Sequence, residues 1–143
     1  MNDKLDNILF PSKELLSVVI DEEVISINKL INGNELSYDY KFKPFESNNY
    51  EYDNDSINIY ELIQKMKEWA IMQDYGYVIH SHISGTFGHA RVEWYEKNHS
   101  DKHGQYRELT FYSEWFEGKN NSEFEAIVQA CEWILSKLRI KVD

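Results

Sequence analysis

Between Tyr77 and Phe116 the chain runs through three successive stretches with the pattern of strands, and no other part constrains the fold as strongly. Tyr77 to Ile83 is rich in β-branched and aromatic residues and ends in Ser84-Gly85-Thr86-Phe87-Gly88, a turn cluster with two glycines. His89 to Tyr95 then alternates apolar with polar residues, and Tyr106 to Phe116 does so for longer. Period-2 runs bounded by Gly, Ser and Asn clusters are the signature of strands joined as hairpins. Successive side chains on a strand point to opposite faces. One face is therefore predicted to gather Tyr77, Ile79, Ile83, Ala90, Val92, Trp94, Leu109, Phe111 and Trp115 as a core face. The other gathers His80, His82, Arg91, Glu93, Tyr95, Thr110, Tyr112 and Glu114. That second set is polar and tyrosine-rich, as expected of the solvated side of an antiparallel sheet.

An amphipathic helix flanks this stretch on each side. Ile59, Leu62, Ile63, Met66, Trp69 and Ala70 repeat at helical spacing after Asn58, and Glu61 stands three residues on, the spacing of a capping box. Gly76 is placed to end that helix in the left-handed conformation. Ser122-Glu123-Phe124-Glu125 is a full capping box opening a helix to about Leu138. Its stripe is Phe124, Ile127, Val128, Cys131, Ile134, Leu135 and Leu138, and Lys137, Arg139 and Lys141 suit the negative end of the helix dipole.

Upstream, Ser12 can cap a short helix from Lys13 to about Val19. Val24 to Leu30 and Glu35 to Phe42 alternate on either side of Asn32-Gly33-Asn34, a hairpin turn. Residues 43–56, with Pro44, several Asn and an acidic, tyrosine-containing run, are expected to form a mobile acidic loop. The order is α-β-β-α-β-β-β-α. It predicts a single α+β domain over residues 1–143, an antiparallel sheet of about five strands with helices packed on it.

A chain of 143 residues is long enough to bury a core, and its single cysteine, Cys131, excludes an intrachain disulfide. No apolar run reaches the roughly 20 residues that span a bilayer, and Met1-Asn2-Asp3-Lys4 lacks the features of a signal peptide. A cytoplasmic protein with no membrane partner is expected. The net charge is −10. Residues 1–61 hold thirteen acidic and five basic side chains, residues 62–143 twelve and ten. An acidic N-terminal half repels nucleic acid and attracts basic surfaces.

Candidate chemistry is sparse. His80 and His82 project from one face of a strand, and His99 and His103 would share a site if their loop were helical. Zinc needs three or four converging ligands, so His80 and His82 are weak metal candidates and no metal or other cofactor is assigned. His80, His82, Arg91, Glu93, Tyr112 and Glu114 hold the ingredients of acid–base catalysis. The same residues on adjacent strands equally form cross-strand pairs, and no catalytic residue is assigned. Cys131 lies in a helix stripe and reads as a buried small hydrophobe. Gly85 and Gly88 read as hairpin residues, since no Lys-Ser/Thr or helix follows them as a phosphate loop requires. There is no basic patch or RNP-like motif, so no direct nucleic-acid contact is expected.

Ser12-Lys13-Glu14-Leu15-Leu16, Ile57-Asn58-Ile59-Tyr60-Glu61-Leu62 with Lys67-Glu68-Trp69-Ala70, and Glu125-Ala126-Ile127 with Ala130-Cys131-Glu132-Trp133-Ile134-Leu135 resemble small uncharacterised bacteriophage and prophage proteins. They are also similar to sandwich-type phage proteins with a helix–strands–helix core. The resemblance implies a phage accessory protein and no particular reaction. The leading expectation is a non-enzymatic inhibitor of a host protein with a basic surface, such as an anti-CRISPR or other anti-defence protein. Tyr50, Tyr52, Asp53 and Asp55 are the expected contacts, followed by Tyr95 and Tyr112, because tyrosine suits interfaces. The alternatives are a small metal- or ligand-binding enzyme using the His/Arg/Glu face, and a self-associating structural protein, as in a homodimer.

Overall fold

The computed structural model describes residues 11–32, 35–43, 52–85, 87–100, 106–118 and 122–142. They form α1 (Lys13–Ile20), β1 (Glu23–Asn32), β2 (Glu35–Lys43), β3 (Asp53–Asn58), α2 (Ile59–Ile71), β4 (Val78–Ser84), β5 (Phe87–Ser100), β6 (Tyr106–Tyr112), β7 (Phe116–Gly118) and α3 (Glu123–Val142). The fold class is the predicted one: antiparallel sheets with helices packed on them. The five expected strands are joined by two short ones, β3 and β7, and they lie in two sheets. The chain divides into two compact units, Met1–Met66 and Lys67–Asp143.

In the N-terminal unit the sheet order is β1-β2-β3, antiparallel throughout. Ser12 caps α1 as predicted, its Oγ accepting from the Leu15 amide at 3.0 Å, and Leu15 and Leu16 are buried. Asp21 ends the helix in the left-handed region at φ 60°. Ser17 Oγ then accepts from the Val24 amide at 3.0 Å, tying the helix to the start of β1. Leu36, Tyr38 and Tyr40 alternate onto the buried face of β2, and Ile57 of β3 lies opposite Tyr38. Asn32 pairs with Glu35, the register of a two-residue hairpin loop; Gly33 and Asn34 lie outside the described residues.

Residues 53–56, expected in the acidic loop, belong to β3 instead. Asp and Asn are poor strand formers, which hides this strand from a propensity reading. It pairs because Ile57 reaches the core and Asn58 leads straight into α2. Of the rest of that predicted loop, Lys43 ends β2, Tyr52 precedes β3, and Pro44 to Glu51 lie outside the described residues. At the helix entry, Asn58 Oδ1 accepts from the Glu61 amide at 2.9 Å. Glu61 Oε1 accepts from the Asn58 side-chain amide at 2.9 Å. The predicted box thus closes through the Asn58 carboxamide N–H in place of the backbone N–H used in a Ser or Thr box. Gly76, at φ 60°, donates to Gln73 O at 2.8 Å beyond the helix end.

In the C-terminal unit β4, β5 and β6 pair in sequence order, and β7 pairs with β5 further along the strand. Ser113 bridges the gap between β6 and β7. Its amide donates to Val92 O at 2.8 Å, and its Oγ accepts from the Val92 amide at 2.9 Å. The opposite face of this sheet is covered by α3, which buries Phe124, Ile127, Val128, Cys131, Ile134 and Leu135. Ser122 Oγ caps that helix, accepting from the Glu125 amide at 3.1 Å. Burial pushes the Cys131 thiol far up, which keeps it neutral and inert.

Three residues of the predicted core face are exposed. Ile83 is 53% exposed at the hairpin end of β4, and Leu109 is 39% exposed opposite Glu96, beside a register shift in β5. Trp115 is 45% exposed because β6 ends at Tyr112, so strict alternation stops before it is reached. Among the described residues no helix is long and apolar enough to cross a membrane.

Candidate functional site

Two polar surfaces emerge, one in each unit. The first is the edge formed by β3 in the N-terminal unit. Asp53, Asn54, Asp55 and Ser56 are all exposed, and β2 is the one strand paired with β3 among the described residues. Asp55 Oδ1 accepts from the Ser56 amide at 2.8 Å, so the carboxylate covers an edge donor as it displays charge. Tyr52, just ahead, is 47% exposed and has the Lys41 ammonium 5.0 Å from its ring centroid. Tyr50 lies outside the described residues.

The register puts Asp55 opposite Tyr40 and Asp53 opposite Phe42, on the side of the sheet that carries the core. Asp55 accepts a hydrogen bond from the Tyr40 hydroxyl. Burial pushes the Tyr40 phenol up, and the charges of Asp55, Glu22 and Glu61 push it further. These carboxylates line a concavity of about 260 Å³ with Tyr40 and Lys65. Glu22 Oε2 is buried there without a hydrogen-bond partner. On the other side of the same sheet, Ser26, Asn28, Asp39, Lys41, Asn54 and Ser56 line a polar hollow of about 510 Å³.

The second surface is the sheet face of the C-terminal unit turned away from α3. As predicted, His80, Arg91, Glu93 and Tyr112 share it: His80 pairs with Arg91 and Glu93 with Tyr112. His80 Nε2 is hydrogen-bonded to Glu93 Oε2, and the Tyr95 hydroxyl donates to Glu93 Oε1 at 3.0 Å. Tyr95 and Tyr112 are 43% and 50% exposed. His82 lies opposite His89, which the sequence assigned to neither face, and their rings stack with centroids 5.1 Å apart. Trp115, expected in the core, sets its ring against both, 5.2 Å and 6.5 Å between centroids. The Arg91 guanidinium lies between Tyr112 and Trp115, 4.2 Å and 4.6 Å from their centroids. Sequence reasoning missed His89 and Trp115 because both depend on hairpin register and on the break at 113–115.

The weak metal candidates are now placed. His80 is engaged by Glu93, and His82 neighbours His89. Among the described residues no three His, Cys, Asp or Glu side chains converge on a shared metal position. The proposed partnership of His99 and His103 required a helical loop. His99 lies instead in β5, paired with Arg107, and His103 is outside the described residues.

The His80–Glu93 pair carries a testable pH dependence. Hydrogen bonding from His80 and then from Tyr95 holds the Glu93 carboxyl below the ordinary glutamate range. A carboxyl lowered in the folded chain stabilises the fold above its unfolded pKa and loses that contribution as pH falls through the folded value. Thermal melts from about pH 7 to about pH 3 should fall less steeply for Glu93→Gln than for the wild type. Identical slopes would show that the pair contributes nothing to the fold.

Comparison of the chain with known protein families, with curated proteins and with solved structures finds no match.

Proposed function

We propose that the chain is a non-enzymatic binding protein whose acidic N-terminal unit caps a basic surface on another protein. The observation that carries this reading is the convergence of Glu22, Asp55 and Glu61 around Tyr40, beside an acidic edge strand. Residues 1–66 hold thirteen acidic and six basic side chains, against twelve and nine in residues 67–143. The negative field is thus concentrated in one unit. A partner lysine or arginine entering the concavity would meet the unpaired Glu22 Oε2 and the Asp55 carboxylate, a charge-assisted pairing. Such a field speeds encounter with basic grooves and competes with phosphate for them. An inhibitor of a nucleic-acid-handling host protein fits this chemistry. With the phage-like sequence segments, that suggests an anti-defence protein of the anti-CRISPR kind acting in the host cytoplasm.

Tagged protein captured on host lysate, washed at low and at high salt, tests the reading. A nucleic-acid-handling protein retained at low salt and released at high salt is the expected result. The double variant Asp53→Lys/Asp55→Lys should weaken capture at least tenfold, since two reversals change the local charge by four. Undiminished capture by that variant would remove β3 from the interface.

A second reading, a small ligand-binding protein or enzyme, rests on the His80–Glu93–Tyr95 network of the other unit. Its mark would be activity lost in His80→Ala without loss of folding.

A further inference from the structure

On the polar face of the C-terminal unit, Arg91 forms no ion pair among the described residues. Its guanidinium is held between the rings of Tyr112 and Trp115, and its Nε is buried without a hydrogen-bond partner. The nearest negative group on its strand, Glu93, is already hydrogen-bonded to His80 and Tyr95. Arg91 is therefore fixed in orientation by two aromatic planes, with Glu93 as a charge neighbour on its own strand but no ion pair to hold its N–H groups. Tyr112 and Trp115 are 50% and 45% exposed even though each has Arg91 against its ring.

A guanidinium fixed in this way is suited to an oxyanion, because its N–H groups form a planar fork that two oxygens of a phosphate or carboxylate accept as a pair. Half-exposed indole and phenol rings alongside offer stacking to a flat heterocycle, and any base has a face to stack. The two features together ask for an anion attached to an aromatic ring. Charge then limits the ligand's size. The chain carries −10 overall, and Glu93 stands two residues from Arg91 on the same face of β5, so a long polyanion is repelled where a single phosphate is tolerated.

We propose that this face is a mononucleotide-binding site, with the phosphate on Arg91 and the base stacked on Trp115 or Tyr112. The site lies in the C-terminal unit and is independent of the acidic interface assigned to the N-terminal one.

The test is calorimetric titration of the intact chain at neutral pH and low salt with each common nucleoside 5′-monophosphate. The parent nucleoside and inorganic phosphate serve as part-ligands. At least one monophosphate should bind tenfold or more tightly than either of its parts. Arg91→Met, which keeps an aliphatic stem between the rings, and Trp115→Leu should each weaken that binding tenfold or more. In wild-type protein, one of the four indole N–H resonances should shift on titration, a readout that does not depend on either variant folding. Absence of heat and of that shift at millimolar nucleotide overturns the site. Equal binding by the variants overturns the residue assignment. Phosphate binding as tightly as the nucleotide removes the base from the proposal, and a short single strand binding more tightly than its mononucleotide overturns the size limit.

Discussion

Gly118→Ala is expected to destabilise the C-terminal unit by about 3 kcal/mol or more, at the upper end for overpacking. A Cβ at Gly118 would stand 2.0 Å from the Ser122 carbonyl oxygen and 2.9 Å from the Ala126 amide nitrogen. At Gly88, directly opposite across the β5–β7 pair, it would stand 2.4 Å from the Glu123 amide nitrogen and 2.5 Å from the Ser122 carbonyl. These are backbone atoms at the start of α3, so no rotamer change relieves the clash and the helix entry itself must move. The paired glycines are thus the surface on which the N-terminus of α3 rests. Gly88→Ala should behave like Gly118→Ala. Gly85→Ala is the internal control: it has open space around its Cβ position and a φ of 65°. Its cost is the backbone term alone, about 1 kcal/mol. Urea unfolding of the three variants measures the difference. If Gly118→Ala proved no worse than Gly85→Ala, the close seating of α3 would be wrong.

Gly88 also shows where a sequence stops being readable. A glycine beside a hairpin reads as a turn residue, and Gly85 is one. Nothing along the chain reveals that Gly88 faces a helix beginning 35 residues later, because close approach is a property of tertiary packing. What alternation does encode is facing. His80, Arg91, Glu93 and Tyr112 were legible as neighbours on one face because period 2 holds along β4, β5 and β6. The same rule failed for Trp115, since it assumes an unbroken strand and the chain leaves the ladder after Tyr112 to rejoin it at Phe116. That break turns an expected core tryptophan into the ring that holds Arg91. The partnership of His82 with His89 needed the hairpin register, which a loop containing two glycines leaves open. β3 was hidden for another reason: its acidic residues argue for a loop, and the pairing to Tyr38 through Ile57 that overrides them is non-local. The acidic cluster around Tyr40 was only half visible, because Asp55 was named from composition while Glu22 and Glu61 reach it through the fold.

Trp133→Ala is expected to cost about 3 kcal/mol, the lower end for deleting a large aromatic side chain, because the indole is only part-buried. The apolar stripe read from α3 passes over Trp133, yet its ring joins a cluster on the α3 side of the C-terminal sheet. The centroid lies 5.5 Å from that of Trp94, and 6.4 Å from those of both Tyr77 and Phe116. Trp94 in turn stacks on Phe111 at 5.7 Å, so the cluster runs from the helix through β5 to β6. The Lys137 ammonium, one helical turn on and 5.2 Å from the Trp133 centroid, caps the ring from solvent. Burial of so much aromatic surface outweighs the specific ring contacts, which add about 0.5–1.5 kcal/mol per pair. Trp133→Phe keeps a ring against Trp94 and should therefore retain more than half of the stability that alanine loses. A double-mutant cycle with Trp94→Leu separates the two contributions, with a coupling of about 1 kcal/mol expected for residues in direct contact. Urea unfolding of the four proteins gives all the terms. A loss under about 1 kcal/mol in Trp133→Ala, well short of the range for such truncations, would mean that this indole is a surface group and that α3 is held by its aliphatic stripe alone.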